Sequence, residues 1–306
     1  DSKAELIERA LSTSDFPNLL ANVLNKSLRQ EYAIAPKTYE PLVRKVPVAD
    51  FKPVKRVQMG DAPVLLEKSE HGQYEEGSFS DASETYAIRE WGRLISITRQ
   101  MLSNDDLSSM LRLPSMLARR AAELESDLAW GALLKNAVMG DGVPLFDAKH
   151  NNIAKTPSAI NVQSISAAKT AMRMQKGLNG ARLNITPYYL IVSSANELNA
   201  LQFMFPTTPN VDQNTNPYKS SLRLIVEPRL DDVNPNAWFL AADLGQIDLI
   251  EMAYLQGQEG LYMEQKIDFS TDGIRLKARM DVEAKTIDWR GFYKNDGVNP
   301  SEKSAK

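Results

Sequence analysis

Residues 115–136, SMLARRAAELESDLAWGALLKN, are the stretch on which the fold reading turns. Leu117, Ala121, Leu124, Leu128 and Ala132 recur at helical spacing and make one apolar face. Arg119, Arg120, Glu123, Glu125 and Asp127 fall mostly elsewhere around the helix. At about 1.5 Å per residue such a helix would be about 33 Å long, enough to act as a structural spine. Trp130 is expected to anchor it in a core. Just upstream, Asn104, Asp105 and Asp106 offer caps for a short helix through Arg112, which Pro114 ends or kinks.

Downstream of the spine a turn-rich stretch over 140–152 leads into a compact α/β region. Residues 164–175 read as a helix closed by Gly177 and Gly180, residues 188–192 as a buried strand, and residues 194–203 as a helix behind it. Short strands follow at 222–226 and 238–241, between proline-containing turns. The last part alternates for antiparallel pairing over 247–255, 261–269, 274–280 and 284–289, with Thr271-Asp272-Gly273 as a turn.

Upstream, residues 1–30 read as helix in two pieces. Ser14 and Asp15 cap the second, and Leu20, Val23, Leu24 and Leu28 form its apolar stripe. Pro36, Pro41, Pro47 and Pro53 then forbid a continuous helix and favour an extended arm with little local core to join. A long hairpin is expected from strands at 54–59 and 86–98. Its charge is segregated: Arg44, Lys45, Lys52, Lys55 and Arg56 precede, while Glu67, Glu70, Glu75, Glu76, Asp81 and Glu84 follow. That layout fits either a solvated loop or two complementary patches that meet between neighbouring copies.

Composition removes most chemistries. The chain has 306 residues, a net charge of −3, no Cys and two His, His71 and His150. Disulfide frameworks, thiolate catalysis, Cys-based zinc sites and multi-histidine metal centres are therefore excluded within one chain. The near-neutral balance argues against coating nucleic acid. No apolar run reaches the roughly 18 residues of a membrane span. No phosphate-binding loop, dinucleotide fingerprint, nucleophile elbow or HExxH motif is present. Asp212, Asn214 and Asn216 imitate a calcium loop, but Pro217 and Arg223 stand where a turning Gly and a bidentate Glu are required. Asp147 and His150 lie three apart and could serve a hydrolase as an acid–base pair, yet no nucleophile accompanies them. His150 reads as a structural histidine. No catalytic residue, cofactor or metal is expected.

Four segments then bear on family: TSDFP at 13–17 with LLAN at 19–22, TRQMLSNDDL at 98–107, LFDAKHNN at 145–152 and DWRGFYKN at 288–295. In this order, over nearly the whole chain, they resemble the major capsid proteins of tailed bacteriophages, in the group of Mu-like major head subunits and prohead protease–capsid fusions. The resemblance implies an α+β, HK97-like fold. It has an N-terminal arm (1–45), an extended β-hairpin loop (46–98), a peripheral domain (99–155 and 244–295) with the spine helix 115–136, an axial α/β domain (156–243) and a disordered tail (296–306). It implies a structural subunit of the virion, assembled in the bacterial cytoplasm as hexamers and pentamers. These would enclose double-stranded DNA without sequence-specific binding and without a membrane. Portal, decoration proteins and a prohead protease are the implied partners, and Asp1 resembles the end such a protease leaves.

Within this plan the candidates for contact between subunits are Leu20, Val23, Leu24, Leu28, Arg44, Lys45, Lys52, Lys55, Arg56, Glu67, Lys68, Glu70, Glu75, Glu76 and Asp81. Lys68 is the obvious donor if subunits were cross-linked covalently, but no dedicated motif surrounds it, and charge pairing with arm exchange is the preferred expectation. A tail or head–tail adaptor ring protein is the alternative to a shell subunit.

Overall fold

The computed structural model describes residues 30–58, 82–97, 107–178, 180–205, 216–219, 221–268 and 273–298. The expectations placed on residues 1–29 and 59–81 lie outside them, as does the Thr271-Asp272 part of the expected turn.

One helix, α1 (Leu107–Leu134), forms the spine. It starts eight residues before the expected position and runs unbroken through Pro114, where two helices were expected. A proline inside a helix costs about 3 kcal/mol. The helix packs along the long strand of the adjacent sheet. The helix ends because Asn136 takes a left-handed conformation (φ 47°), its side chain bonding both the amide and the carbonyl of Phe146.

The buried stripe of α1 also differs from the leucine stripe. Ala118, Ala121, Ala122, Ala129, Trp130 and Leu133 are buried, whereas Leu117, Leu124 and Leu128 sit half-buried at its margins. Small residues on the inner face let the helix backbone approach the sheet closely, and the leucines seal the flanks. Burial of Trp130 and Leu133 at the C-terminal end contributes about 1.5–3 kcal/mol each.

That sheet contains β1 (Val43–Val48), β4 (Arg89–Ile97), β8 (Ile250–Leu255), β9 (Tyr262–Asp268) and β10 (Gly273–Thr286). Residues 274–280 and 284–289, expected as two strands, become the single strand β10 followed by a turn, because the alternation continues unbroken through Asp281-Val282-Glu283. Leu276, Ala278, Met280, Val282 and Ala284 point to the core; Arg275, Lys277, Arg279, Asp281, Glu283 and Lys285 point the other way. Along one edge β10 pairs with β4, and along the other with β9 and then β8.

The proline-studded stretch does find a local core. Tyr39 and Leu42 are almost fully buried, and β1 pairs in parallel with β8 from Val43↔Ile250 to Val48↔Leu255. Residues 37–48 therefore belong to the body of the molecule. The hairpin also differs. The partner of β2 (Val54–Gln58) is β3 (Ala82–Tyr86), while Arg89–Ile97 leaves the hairpin for β10.

A second sheet has the order β11 (Phe292–Asn295), β7 (Trp238–Ala242), β5 (Pro187–Val192), β6 (Arg223–Val226). All of β7 is buried, as a central strand covered on both faces requires. The helices α2 (Val162–Arg173) and α3 (Glu197–Met204) accompany this sheet. Asn161 and Ser164 form a reciprocal capping box at the start of α2. Sequence grouping put 292–295 with the peripheral strands, but β11 is hydrogen-bonded to β7. Both sheets and α1 share one apolar core.

Candidate assembly elements

Two parts of this body adjoin chain outside the described residues: residues 30–39 and the paired strands β2 and β3. Each is rooted by a buried glutamate. Glu125, on the inner face of α1, has no solvent exposure. It accepts hydrogen bonds from Tyr39 Oη (2.7 Å), Tyr254 Oη (2.6 Å) and Tyr32 Oη, and pairs with Lys37 Nζ at 3.1 Å. The Lys37 ammonium also lies 3.8 Å above the Tyr32 ring. Burial pushes the Glu125 carboxyl up, but the hydroxyls of Tyr254 and Tyr32, the Lys37 ammonium and the Tyr39 hydroxyl outweigh it and hold the carboxyl below its usual range. Burial and the same carboxylate push all three phenols well above theirs. One carboxylate thus ties residues 32–39 to the spine helix and to β8.

A second tie runs alongside. Trp130 Nε1 donates to Thr38 Oγ1 at 3.0 Å, and the Thr38 hydroxyl donates to Glu227, which is fully buried. Arg229 pairs with Glu227 (2.8 Å) and with Asp127 (2.6 Å), closing the network onto α1.

At the root of the hairpin, Arg56 from β2 and Tyr86 from β3 both bond to Glu251 on β8. Glu84 on β3 accepts from the Gly140 amide (2.6 Å) and pairs with Lys285 Nζ on β10 (3.4 Å). Gly140 is required by this approach, since a Cβ there would stand 2.2 Å from the Ser83 carbonyl oxygen.

The expected contact residues divide accordingly. Arg56 is committed to Glu251 inside the chain. Arg44 pairs with Asp248 (2.9 Å), Lys45 with Glu40 (2.9 Å) and Lys52 with Asp50 (3.5 Å), all at the surface, and Lys55 is exposed. Leu20, Val23, Leu24, Leu28, Glu67, Lys68, Glu70, Glu75, Glu76 and Asp81 lie outside the described residues. The anchoring residues Glu125, Tyr32, Tyr39, Tyr254, Glu227 and Glu251 were not singled out from sequence. The available signal was a Glu between alanines on the inner face of an amphipathic helix, which is a position for a buried, paired charge.

Asp147 and His150 do not pair. The Asp147 carboxylate accepts from the Lys149 amide (2.8 Å) and caps its own turn. His150 is buried, with Nε2 2.8 Å from Asp141 Oδ2, Nδ1 3.1 Å from the Leu145 carbonyl, and its ring stacked on Trp289 at 4.1 Å. Burial raises the Asp141 carboxyl, but the bonds to His150 and to the Val143 amide hold it below its ordinary value. No group of three or more His, Asp or Glu placed to hold a metal occurs among the described residues. No helix among them is long and apolar enough to cross a membrane.

Comparison with known proteins decides what such a body is for. A family model described as "Phage capsid protein" matches residues 82–295. The chain belongs to the phage capsid protein family. Its role is structural. The solved structures it resembles agree on the fold. The procapsid of bacteriophage JBD30 matches with a TM-score of 0.54 at 13% identity, over 95% of this chain and 79% of that one. The mature capsid of bacteriophage PhiM1 gives 0.56 at 12%, over 87% and 88%. The virus-like particle from Pyrococcus furiosus gives 0.52 at 11%, over 90% and 98%. No curated protein matches the sequence. The capsid subunit therefore has the HK97-like α+β fold, with α1 as its spine, Tyr39 bonded to that spine and the β2–β3 pair bonded to β8.

Proposed function

We propose that this capsid protein self-assembles as hexamers and pentamers into an icosahedral shell around double-stranded DNA. The observation that carries the reading is the family match over 82–295, covering most of the chain. Chain before and between the elements of such a body can make contacts with neighbouring copies while the body stays folded, and obligate interfaces of roughly 2,000–5,000 Å² accumulate from such contacts. The Leu20, Val23, Leu24 and Leu28 stripe and the acidic stretch from Glu67 to Asp81 are the contact-forming parts in this reading. The α1-backed sheet serves as the peripheral domain and the β5–β7 sheet as the axial one.

The four sequence segments support placing the protein with Mu-like head subunits. In that setting a prohead protease and a portal are partners of the shell. Sedimentation of the purified chain tests the assembly reading. Particles of many copies, sensitive to loss of residues 1–29, are expected; a species no larger than a single ring would favour a tail or adaptor protein.

A further inference from the structure

The stretches 145–152 and 288–295, far apart in sequence, meet in the fold. The Lys294 amide donates to the Asn152 carbonyl (2.8 Å), the Ala154 amide to the Lys294 carbonyl (2.8 Å), and Asn152 Nδ2 to the Trp289 carbonyl (3.3 Å). Together with α2 they border a groove of about 1020 Å³. That is at the top of the range of small-molecule pockets, about 300–1,000 Å³. Lys149, Lys155 and Lys176 stand exposed on its rim, Ser158, Ser164 and Gln175 line it, and no Asp or Glu does. None of the three lysines forms an ion pair among the described residues.

The sequence holds a complement. Glu67, Glu70, Glu75, Glu76 and Asp81 fall in one stretch in which Lys68 is the only Lys or Arg. Four of the basic residues nearest in sequence are already engaged within the chain, at Asp248, Glu40, Asp50 and Glu251. Nucleic acid fits the groove less well. Trp289 is already engaged by the His150 ring and the Arg290 guanidinium, which leaves it poorly placed as a stacking platform for bases. Three lysines on a chain of net charge −3 are also a weak phosphate-binding surface.

We propose that this groove holds the acidic 67–81 stretch of a neighbouring copy. The proposal rests on the shell-forming reading above and names the surface that receives one of its contact-forming parts. Lysine heads around a carboxylate-free trough select an acidic extended segment and set its register, and the contact weakens as salt rises.

The absence of cysteine makes a direct test available. Chains carrying Lys155→Cys and chains carrying Glu75→Cys or Glu76→Cys are mixed, assembled and mildly oxidised. A disulfide-linked dimer that requires both chains and appears only in assembled particles is expected. Shells without that dimer, or a doubly substituted chain that closes the bond only within itself, overturn this proposal alone. Failure of the unsubstituted chain to form shells overturns the shell-forming reading, and this proposal with it. In a second arm, Lys149→Glu, Lys155→Glu and Lys176→Glu together should lower particle yield about tenfold while circular dichroism stays unchanged. Adding Glu70→Lys, Glu75→Lys and Glu76→Lys should restore the yield. Normal shells that fail to retain DNA would make nucleic acid the occupant and overturn the proposal.

Discussion

Replacing the Glu125 carboxylate by an amide leaves Lys37 without its counter-charge and three phenols to share one acceptor oxygen. Glu125→Gln should destabilise the unassembled chain by about 3–5 kcal/mol, the range for breaking a buried pair from one side, as read by urea unfolding. The pH dependence has a definite sign. The folded carboxyl titrates below its ordinary 4.5, so its contribution is full above that value and is lost as pH falls through the lower folded one. Wild type and Glu125→Gln should therefore converge in stability as pH drops below 4.5; a gap as wide at acid pH as at neutral pH would contradict the assignment. His150 shows how much of one residue the sequence discloses. Its structural character was legible from the lack of a nearby nucleophile. Its true partner Asp141 was not, because the turn at Gly140 brings Asp141 to the ring while Asp147 faces its own backbone.

At the scale of elements, the spine helix was legible as a helix but not in its bounds or its buried face. Leucine periodicity located a stripe, yet the small side chains Ala118, Ala122 and Ala129 lie inside it because the sheet comes close. Ala129→Leu should accordingly cost about 1–3 kcal/mol by overpacking, more than Leu124→Ala at the half-buried margin; thermal unfolding of the two variants compares them. The hairpin was legible as a hairpin, while the handover of Arg89–Ile97 to β10 was not. That handover depends on a partner nearly two hundred residues away, which no local pattern encodes. Its root gives a further prediction. Gly140→Ala places a Cβ against the Ser83 carbonyl and should loosen β3. Amide exchange over 82–86 should quicken while exchange in α2 stays as it was.

For the whole molecule, residues 32–43 are built into the core formed with α1 and the two sheets. Tyr32, Lys37 and Tyr39 satisfy Glu125, and Leu42 is fully buried. Deleting residues 1–29 should leave a folded monomer that assembles poorly, whereas deleting 1–42 should unfold the body; circular dichroism and sedimentation distinguish the two outcomes. The missing cysteines and the two histidines, read first as exclusions, suit a subunit whose work is association. The most direct test is electron microscopy of negatively stained particles from the purified, unsubstituted chain. Closed shells built of repeated rings of subunits are the expected image. A field of monomers or isolated open rings would contradict the account.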